Sequence, residues 1–338
     1  HNPIISKGNF LGTLKSFVLL HSAKYLLPEI LRYKVIFNKK RLKSWLVAYS
    51  QLNILMSSSI IKELFSSINK DDICYFYWGK GSNILSVPYK GKAKFMSRFH
   101  GEWDLWEDNS GGYAPLRKQI SQSLDKALFI AKSGMEYFTN KYPKTKSYLC
   151  PLGSNDYGIC TVSSDKKTIK IVSCSTVYDL KRVDLIFTIL NSIEDYYIEW
   201  THIGGGKDFK KLSELVSSSK KKHLQINLLG MMDHENVVNY YQTHPFDIFI
   251  NLSTNEGVPV SIMEAASFNI PVIATNVGST AEIVTSSVGV LVSSNPTISE
   301  VREAIEDIIK GNFEPRNFWA EHFSADTNYN RLVMLLRT

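Results

Sequence analysis

Two glutamates, Glu256 and Glu264, stand with seven residues between them in a stretch whose pattern suits an oxygen-rich ligand. The apolar run 248–252 predicts a buried strand, and a polar turn then leads into a helical segment that begins near Val260. A helix start offers free N–H groups and a partial positive charge, which suit an anion. Glu264 could accept hydrogen bonds from a diol such as a ribose, while Glu256 would face a ligand at the loop. The alternative is a pair of solvated surface carboxylates.

A second candidate group is a pair of cations, Lys181 and Arg182, which follow the predicted strand 169–173 and precede a helical pattern. In a parallel sheet this position is the carboxyl end of a strand, where ligands bind. Two adjacent cations at such a place suit a diphosphate. The alternative is a solvated Lys–Arg pair on the surface.

Residues 202–207 have the sequence HIGGGK, which resembles a glycine loop that cradles phosphate at a strand end. The pattern G-x-G-x-x-G is not satisfied, so we predict that Gly204 and Gly206 shape a turn rather than bind. His202 lies inside the predicted strand 198–203, and we predict a core histidine there rather than a ligand.

In the first half of the chain the candidate is His100, which follows the predicted strand 93–99. Gly101 comes next and lets a ligand approach the backbone closely. The alternative for His100 is a lone histidine that caps a strand. Asp104 is a further candidate, although it could equally belong to a plain acidic loop with Glu107.

Residues that bind metals or attack substrates in other enzyme classes lack the required spacing here. The eight histidines are scattered, no D-x-D stands where a metal-dependent transferase would need one, and no Ser-His-Asp or Cys-His arrangement is recognisable. We therefore expect no metal and no cofactor, with protein cations and helix dipoles stabilising any departing diphosphate. The cysteines lack C-x-x-C spacing and adjoin apolar runs, which predicts the reduced thiols of a cytosolic protein. They are Cys74, Cys150, Cys160 and Cys174.

Around these residues short apolar strands alternate with helical patterns, which predicts an α/β fold with parallel, doubly wound sheets. The predicted strands of the first domain are 73–78, 93–99, 127–131 and 147–150. Those of the second domain are 169–173, 198–203, 226–229, 246–252, 271–275 and 288–292. The turn chemistry of 151–156 predicts the boundary, which gives domains 1–153 and 154–319.

The first seventy residues predict helices instead, because 10–31 and 44–68 carry apolar residues at three- and four-residue intervals. A basic cluster lies between them: Lys34, Lys39, Lys40, Arg41 and Lys43. An amphipathic helix beside such a cluster could rest on an anionic membrane surface. The alternative is two core-packing helices joined by a solvated basic loop. No apolar run reaches transmembrane length, and no signal peptide is visible.

The composition is that of a globular enzyme with two domains. The 338 residues exceed the usual size of a single core. A hydrophobic content of 44% and a charged content of 21% exclude a disordered or fibrous chain. The net charge of +7 could favour an anionic lipid, a sugar nucleotide or a nucleic acid, and charge alone does not choose among them. Cations do not alternate with aromatic residues and no recognition motif is present, so we expect no nucleic-acid partner.

Taken together, the motifs resemble those of the retaining GT-B glycosyltransferases of family 4, also called group 1. The resemblance is strongest to the bacterial members that build capsule and O-antigen polysaccharides. The matching segments follow the family's order over about residues 70–338: RFHG at 98–101 with WDL at 103–105, GYAPLR at 112–117, CSTVYDLKRVDL at 174–185, WTHIGGG at 200–206 and the E-x7-E stretch at 247–284. Residues 1–70 match nothing as sharply.

The resemblance implies a GT-B fold, in which two Rossmann-like, doubly wound domains face each other across a cleft. The first domain would lie on the acceptor side, the second would bind the nucleotide sugar, and the tail 320–338 would cross back onto the first. Catalytic roles are implied for His100, Glu256 and Lys181. Donor binding is implied for a further set: Arg182, Gly230, Met231, Gly257, Val258, Pro259, Val260 and Glu264. The family arginine that precedes the lysine is absent at Ser175 and Thr176, so Arg182 would have to compensate.

The implied function is a retaining transfer of a sugar from a nucleoside diphosphate sugar onto a growing glycan. The implied acceptor is a lipid-linked oligosaccharide at the cytoplasmic face of a bacterial membrane, where the enzyme would be peripheral. Two alternatives stay open. One is a noncatalytic subunit that binds sugar nucleotides or glycans, and the other is a GT-B-fold sugar-nucleotide epimerase, for which no suitable acid/base set is recognisable. The donor sugar, the linkage and the oligomeric state are not specified by the sequence.

Overall fold

The computed structural model describes residues 21–101, 104–161, 167–219 and 221–337. The chain divides into two compact units, of which the first ends at Leu149 and the second begins at Cys150. The division falls just before the segment 151–156, where turn-forming residues interrupt the apolar pattern.

The first unit begins with three helices: α1 (Ala23–Arg32), α2 (Lys39–Ser57) and α3 (Ser59–Ser67). Asn38 caps α2, since its side-chain oxygen accepts hydrogen bonds from the backbone N–H groups of Lys40 and Arg41 at 3.0 and 3.2 Å. The prediction of a basic loop between two helices is therefore wrong, because the cap starts the helix early enough to include four of its five residues. The predicted helix 44–68 is interrupted at Ser58, and the part of the first predicted helix that covers 10–20 lies outside the described residues.

The sheet of the first unit has four parallel strands in sequence order. They are β1 (Ile73–Phe76), β2 (Lys94–Phe99), β3 (Lys126–Phe129) and β4 (Ser147–Leu149), with α4 (Arg117–Ser123) and α5 (Lys132–Lys141) in two of the crossovers. Each strand lies within or next to a predicted apolar run. Stacked rings of Phe99, Phe129 and Phe138, with centroids 5.1 Å apart, fill the core behind the sheet.

The second unit has six parallel strands in the order β10-β9-β8-β5-β6-β7. They are β5 (Thr168–Cys174), β6 (Tyr197–Ile203), β7 (Leu224–Gly230), β8 (Ile248–Asn251), β9 (Val272–Thr275) and β10 (Gly289–Val292). The chain winds in one direction from β5 to β7 and in the other from β8 to β10, so this sheet is doubly wound. Its switch point lies between β5 and β8, where ligands bind in open α/β sheets.

Seven helices complete the second unit. They are α6 (Val183–Leu190), α7 (Phe209–Ser217), α8 (His234–Thr243), α9 (Val260–Ser267), α10 (Ile298–Lys310), α11 (Pro315–His322) and α12 (Ala325–Arg337). The predicted helical tail is thus two helices, and both contact the start of their own unit. Trp319 donates to the Ser154 hydroxyl at 2.7 Å, and the Asn328 amide donates to the Leu152 carbonyl at 2.8 Å. That the tail also crosses back onto the first unit stays a prediction.

Among the described residues, no helix combines the length and the apolar character needed to cross a lipid bilayer.

Candidate functional site

An ion pair between Lys181 and Glu256 lies at the switch point of the second unit. The Lys181 ammonium is 2.6 Å from Oε1 of Glu256, and the amide of Asn251 donates to the same oxygen at 3.2 Å. Lys181 follows β5 and Glu256 follows β8, so the pair joins the carboxyl ends of two neighbouring strands. Glu256 is 7% exposed, whereas the Lys181 side chain is 19% exposed. The lysine has three N–H donors and can hold Glu256 while it donates to a phosphate oxygen.

The loop that carries Glu256 is fixed by its backbone. The N–H of Thr254 donates to the Leu180 carbonyl at 2.8 Å, which joins this loop to the one that carries Lys181. Gly278 packs on the other side with a φ of +53°, and a Cβ at that position would lie 1.8 Å from the Glu256 carbonyl oxygen. Only glycine fits such an approach. The two loops therefore hold the ion pair in one geometry.

Arg182, predicted as a donor-binding residue, is bound to backbone carbonyls. Its guanidinium donates to Leu252 at 2.6 Å, Ser253 at 3.1 Å and Ser294 at 2.8 Å. Burial lowers the pKa of this guanidinium. These bonds join the loops that follow β5, β8 and β10, so Arg182 braces the edge on which Lys181 and Glu256 stand. Its contact with a donor stays a prediction.

Glu264 pairs with a residue that the sequence analysis missed. Oε1 of Glu264, in α9, lies 2.9 Å from Nε2 of His234, the first residue of α8. The Glu264 side chain is 16% exposed and His234 is largely exposed, so both are open to a ligand. A carboxylate beside an imidazole can accept from and donate to the two hydroxyls of a ribose. His234 stands alone in a polar segment, and no spacing marks it.

The remaining predicted donor residues lie on the loops at this edge. Gly230 ends β7 with a φ of +71°, and Met231 follows with a side chain that is 71% exposed. Val258 is buried, and Pro259 precedes the first residue of α9, so these two would offer backbone rather than side-chain contacts. Gly257 and Val260 are partly exposed and exposed, respectively.

In the first unit, His100 is held by the carboxylate of Asp104. That carboxylate accepts hydrogen bonds from the backbone N–H groups of Gly79, His100 and Gly101 at 2.9 to 3.0 Å. The His100 ring lies between Tyr77 and Trp78 in space, with centroid distances of 4.8 and 4.2 Å, and its Nδ1 is 3.5 Å from Asp104. Asp104 is 1% exposed, so it positions the loop rather than a substrate. Trp103 of the same motif lies outside the described residues.

The GYAPLR segment acts as a second brace in the first unit. The Tyr113 hydroxyl and the Leu116 N–H both donate to Oε2 of Glu29, at 2.5 and 3.1 Å, and Nη2 of Arg117 donates to the Asp104 carbonyl at 2.6 Å. Burial raises the pKa of the Glu29 carboxyl. Glu29 lies in the segment that matched no family motif, so no pattern in the sequence pointed to it.

Two predictions about the HIGGGK segment are confirmed. His202 is fully buried and its Nδ1 lies 2.9 Å from the Ser173 hydroxyl, and burial lowers its pKa to about 4. A Cβ at Gly204 would lie 1.9 Å from the Ser175 carbonyl oxygen, and one at Gly206 would lie 2.4 Å from the Val177 carbonyl oxygen. These glycines therefore allow two loops to pack backbone against backbone.

The cysteines are free thiols, as predicted, although Cys74 and Cys174 are only partly buried. Burial raises the pKa of Cys174 to about 12, which keeps its thiol protonated and unreactive.

Residues 161–322, which include the switch point and both glutamates, match the family model described as "Glycosyl transferases group 1". The second unit is a glycosyl transferases group 1 domain. One curated relative is a component of the phosphatidylinositol N-acetylglucosaminyltransferase of Homo sapiens, and it is 31% identical to this domain over 144 residues. That match spans 42% of this chain and 29% of the relative. The chain spans less than half the length of the curated relatives it matches first.

Solved structures of glycosyltransferases share the fold across both units. The apo form of the lipopolysaccharide outer core galactosyltransferase WaaB superposes with a TM-score of 0.65 at 14% identity, covering 84% of this chain and 80% of WaaB. Alr3699/HepE of Anabaena, solved in complex with UDP, gives 0.63 at 14% identity, covering 83% of this chain and 82% of HepE. At this identity the likeness establishes the fold, so the glycosyl transferases group 1 domain is part of a GT-B architecture with two Rossmann-like domains.

Proposed function

We propose that this chain transfers a sugar from a nucleoside diphosphate sugar to a growing glycan, with retention of the anomeric configuration. The ion pair of Lys181 and Glu256 at the switch point carries the proposal. It puts a cation and a carboxylate together where a diphosphate and a sugar can be held side by side. The match of residues 161–322 to a glycosyltransferase family supports it.

Each group at this edge has a proposed partner on the donor. Lys181 donates to the diphosphate, Glu256 accepts from hydroxyls of the sugar, and Glu264 with His234 holds the ribose diol. Gly230 and Met231 hold the base through backbone groups. The complex of HepE with UDP supports a nucleotide donor of this kind.

In the proposed reaction, the bond between the anomeric carbon and the diphosphate oxygen breaks while the acceptor oxygen bonds to the same face of that carbon. The acceptor proton passes to the departing diphosphate, so no protein nucleophile is required. Lys181 and the N–H groups at the start of α9 stabilise the charge on the leaving group, without a metal ion. His100 of the first unit is assigned to positioning and polarising substrate hydroxyls.

The proposed acceptor is a lipid-linked glycan of a bacterial surface polysaccharide. The lipopolysaccharide-related activity in the name of WaaB supports this class. Exposed apolar side chains around the start of α2 support peripheral binding to a membrane, because Leu31 is 85% and Phe37 is 82% exposed beside Lys34 and Lys39. An apolar face flanked by cations suits an anionic lipid surface.

The test is a thermal-shift screen of nucleotide sugars, followed by product analysis with the best binder. We expect slow release of free sugar without acceptor, and a glycoside whose anomeric configuration matches the donor by NMR. A chelator should leave both unchanged. Tight binding without any turnover would instead indicate a noncatalytic binding protein, and conversion of the donor into its epimer would indicate an epimerase.

A further inference from the structure

A cavity of about 380 Å³ lies within the first unit, beside the loop that holds His100. Gly79 lines this cavity, and its N–H donates to the Asp104 carboxylate at 3.0 Å. The same carboxylate accepts the N–H of His100 at 2.9 Å. A ligand in the cavity would therefore lie one hydrogen-bonded residue away from the His100 loop. None of the donor-binding roles uses this cavity.

The cavity is lined by four cations. Lys40 and Lys43 come from α2, where residues three apart share a face, while Lys80 follows β1 and Arg117 begins α4. Among the described residues that line it, none is Asp or Glu. Partial burial and then the nearby Arg117 charge lower the pKa of Lys80, which is the effect expected where cations gather. The lining thus favours an anion.

Arg117 gives a second, independent indication of an anionic ligand. It is 6% exposed, and its Nη2 donates to the Asp104 carbonyl. Its Nη1 is buried and has no hydrogen-bond partner in the part of the chain that the structure describes. Buried side-chain donors normally have a partner, so an unpaired guanidinium nitrogen beside a cavity indicates that a ligand supplies the acceptor.

The other walls of the cavity are apolar. Ile84 and Pro115 line its interior, Trp106 packs against Tyr137 at a centroid distance of 4.6 Å, and Val47 is about half exposed at the surface. Cations opposite hydrocarbon suit an anion that carries an apolar chain. Three lysines and one arginine exceed what a single carboxylate neutralises, and they match the several charged oxygens of a phosphate or diphosphate.

We propose that this cavity binds the phosphate or diphosphate of a lipid-linked acceptor, with the first part of the lipid chain against Trp106 and Val47. The inference rests on the proposed transfer function, for which it names the class of acceptor. A volume of about 380 Å³ accommodates a phosphorylated head group and a few carbons, so the rest of the chain extends outside.

The test measures binding of octyl phosphate to the purified chain by titration calorimetry, with inorganic phosphate, octanol and UDP in parallel. Replacing both cavity lysines, Lys40→Gln with Lys43→Gln, should weaken octyl phosphate binding roughly tenfold or more, since hydrogen bonds to charged groups are lost. The matched control, Lys39→Gln with Lys62→Gln, removes the same charge from helices α2 and α3 outside the cavity and should change little. Val47→Ser should weaken octyl phosphate but not inorganic phosphate.

Three results would overturn the proposal. They are equal octyl phosphate affinity in the cavity and control variants, inorganic phosphate that binds as tightly as octyl phosphate, and displacement of octyl phosphate by UDP. The second result would indicate a site for free phosphate, and the third a nucleotide site. UDP affinity separates this inference from the proposed function. Octyl phosphate binding without UDP binding would refute the donor site alone, and UDP binding without octyl phosphate binding would refute the cavity site alone.

Discussion

The Lys181 ammonium lies 2.6 Å from the Glu256 carboxylate, across the gap between the two strands at which the second sheet reverses its winding. A buried carboxylate in this position needs a cation, because an unpaired buried charge is costly. A diphosphate that binds here would compete for the same lysine. The pair thus links the charge balance of the site to the arrival of the donor.

Lys181→Ala should weaken UDP binding by roughly ten- to a hundredfold, because a hydrogen bond to a charged group is lost. Arg182→Ala should affect UDP less but should lower the melting temperature, since three carbonyls lose their donor. Titration calorimetry and thermal unfolding measure the two effects. The double variant Lys181→Ala with Glu256→Gln is the control, because it removes the unpaired carboxylate. Restored UDP affinity in that variant would mean that Lys181 acts only through Glu256.

Glu264→Ala should weaken the binding of UDP roughly tenfold while leaving the binding of 2′,3′-dideoxy-UDP unchanged, because only UDP offers the proposed hydroxyls. His234→Ala should show the same preference to a smaller degree, as His234 contacts Glu264 at 2.9 Å. Glu235→Ala, a neighbouring carboxylate on α8, is the matched control. If Glu264→Ala weakens both nucleotides equally, the ribose assignment fails.

The sequence predicts the strands well because a parallel strand buried on both faces leaves a continuous apolar run. It also predicts that Lys181 and Glu256 share a sheet edge, since both follow such runs. It does not predict their contact, which depends on the packing of Gly278 behind Glu256 and on the strand order. His234 and Glu29 are single residues in segments without a pattern, and only the folded chain brings them to Glu264 and Tyr113.

Stability of the second unit should depend on pH through His202. Its folded pKa of about 4 is below the ordinary value of 6.5, so the folded state favours the neutral ring. This stabilisation is present above pH 6.5 and is lost as the pH falls from 6.5 to about 4, where the loss reaches about 3 kcal/mol. Urea unfolding at several pH values should show a smaller loss on acidification for His202→Gln than for the unsubstituted chain. His322→Gln, at a solvent-exposed position of the same unit, should not reduce the loss, and identical pH profiles for all three proteins would refute the assignment.

Membrane binding should depend on the surface around the start of α2. Phe37 is 82% exposed next to Lys34 and Lys39, and each cation near an anionic bilayer contributes about 1 kcal/mol, screened by salt. Co-sedimentation with liposomes should therefore rise with anionic lipid and fall with added salt. Lys34→Asn with Lys39→Gln should reduce it, and asparagine suits the left-handed backbone of residue 34, whose φ is 49°.

Phe37→Ser should lower binding to neutral and anionic liposomes alike, because it removes apolar rather than electrostatic attraction. The matched charge control is Lys210→Gln with Lys211→Gln, which removes two cations from α7 in the second unit. Arg41 is left in place in all variants, because its guanidinium donates to the Gly111 and Tyr33 carbonyls at 2.8 and 2.7 Å and holds the fold. Sedimentation that falls as much with the α7 control as with Lys34→Asn and Lys39→Gln would reduce the effect to net charge and remove the case for a membrane-binding face.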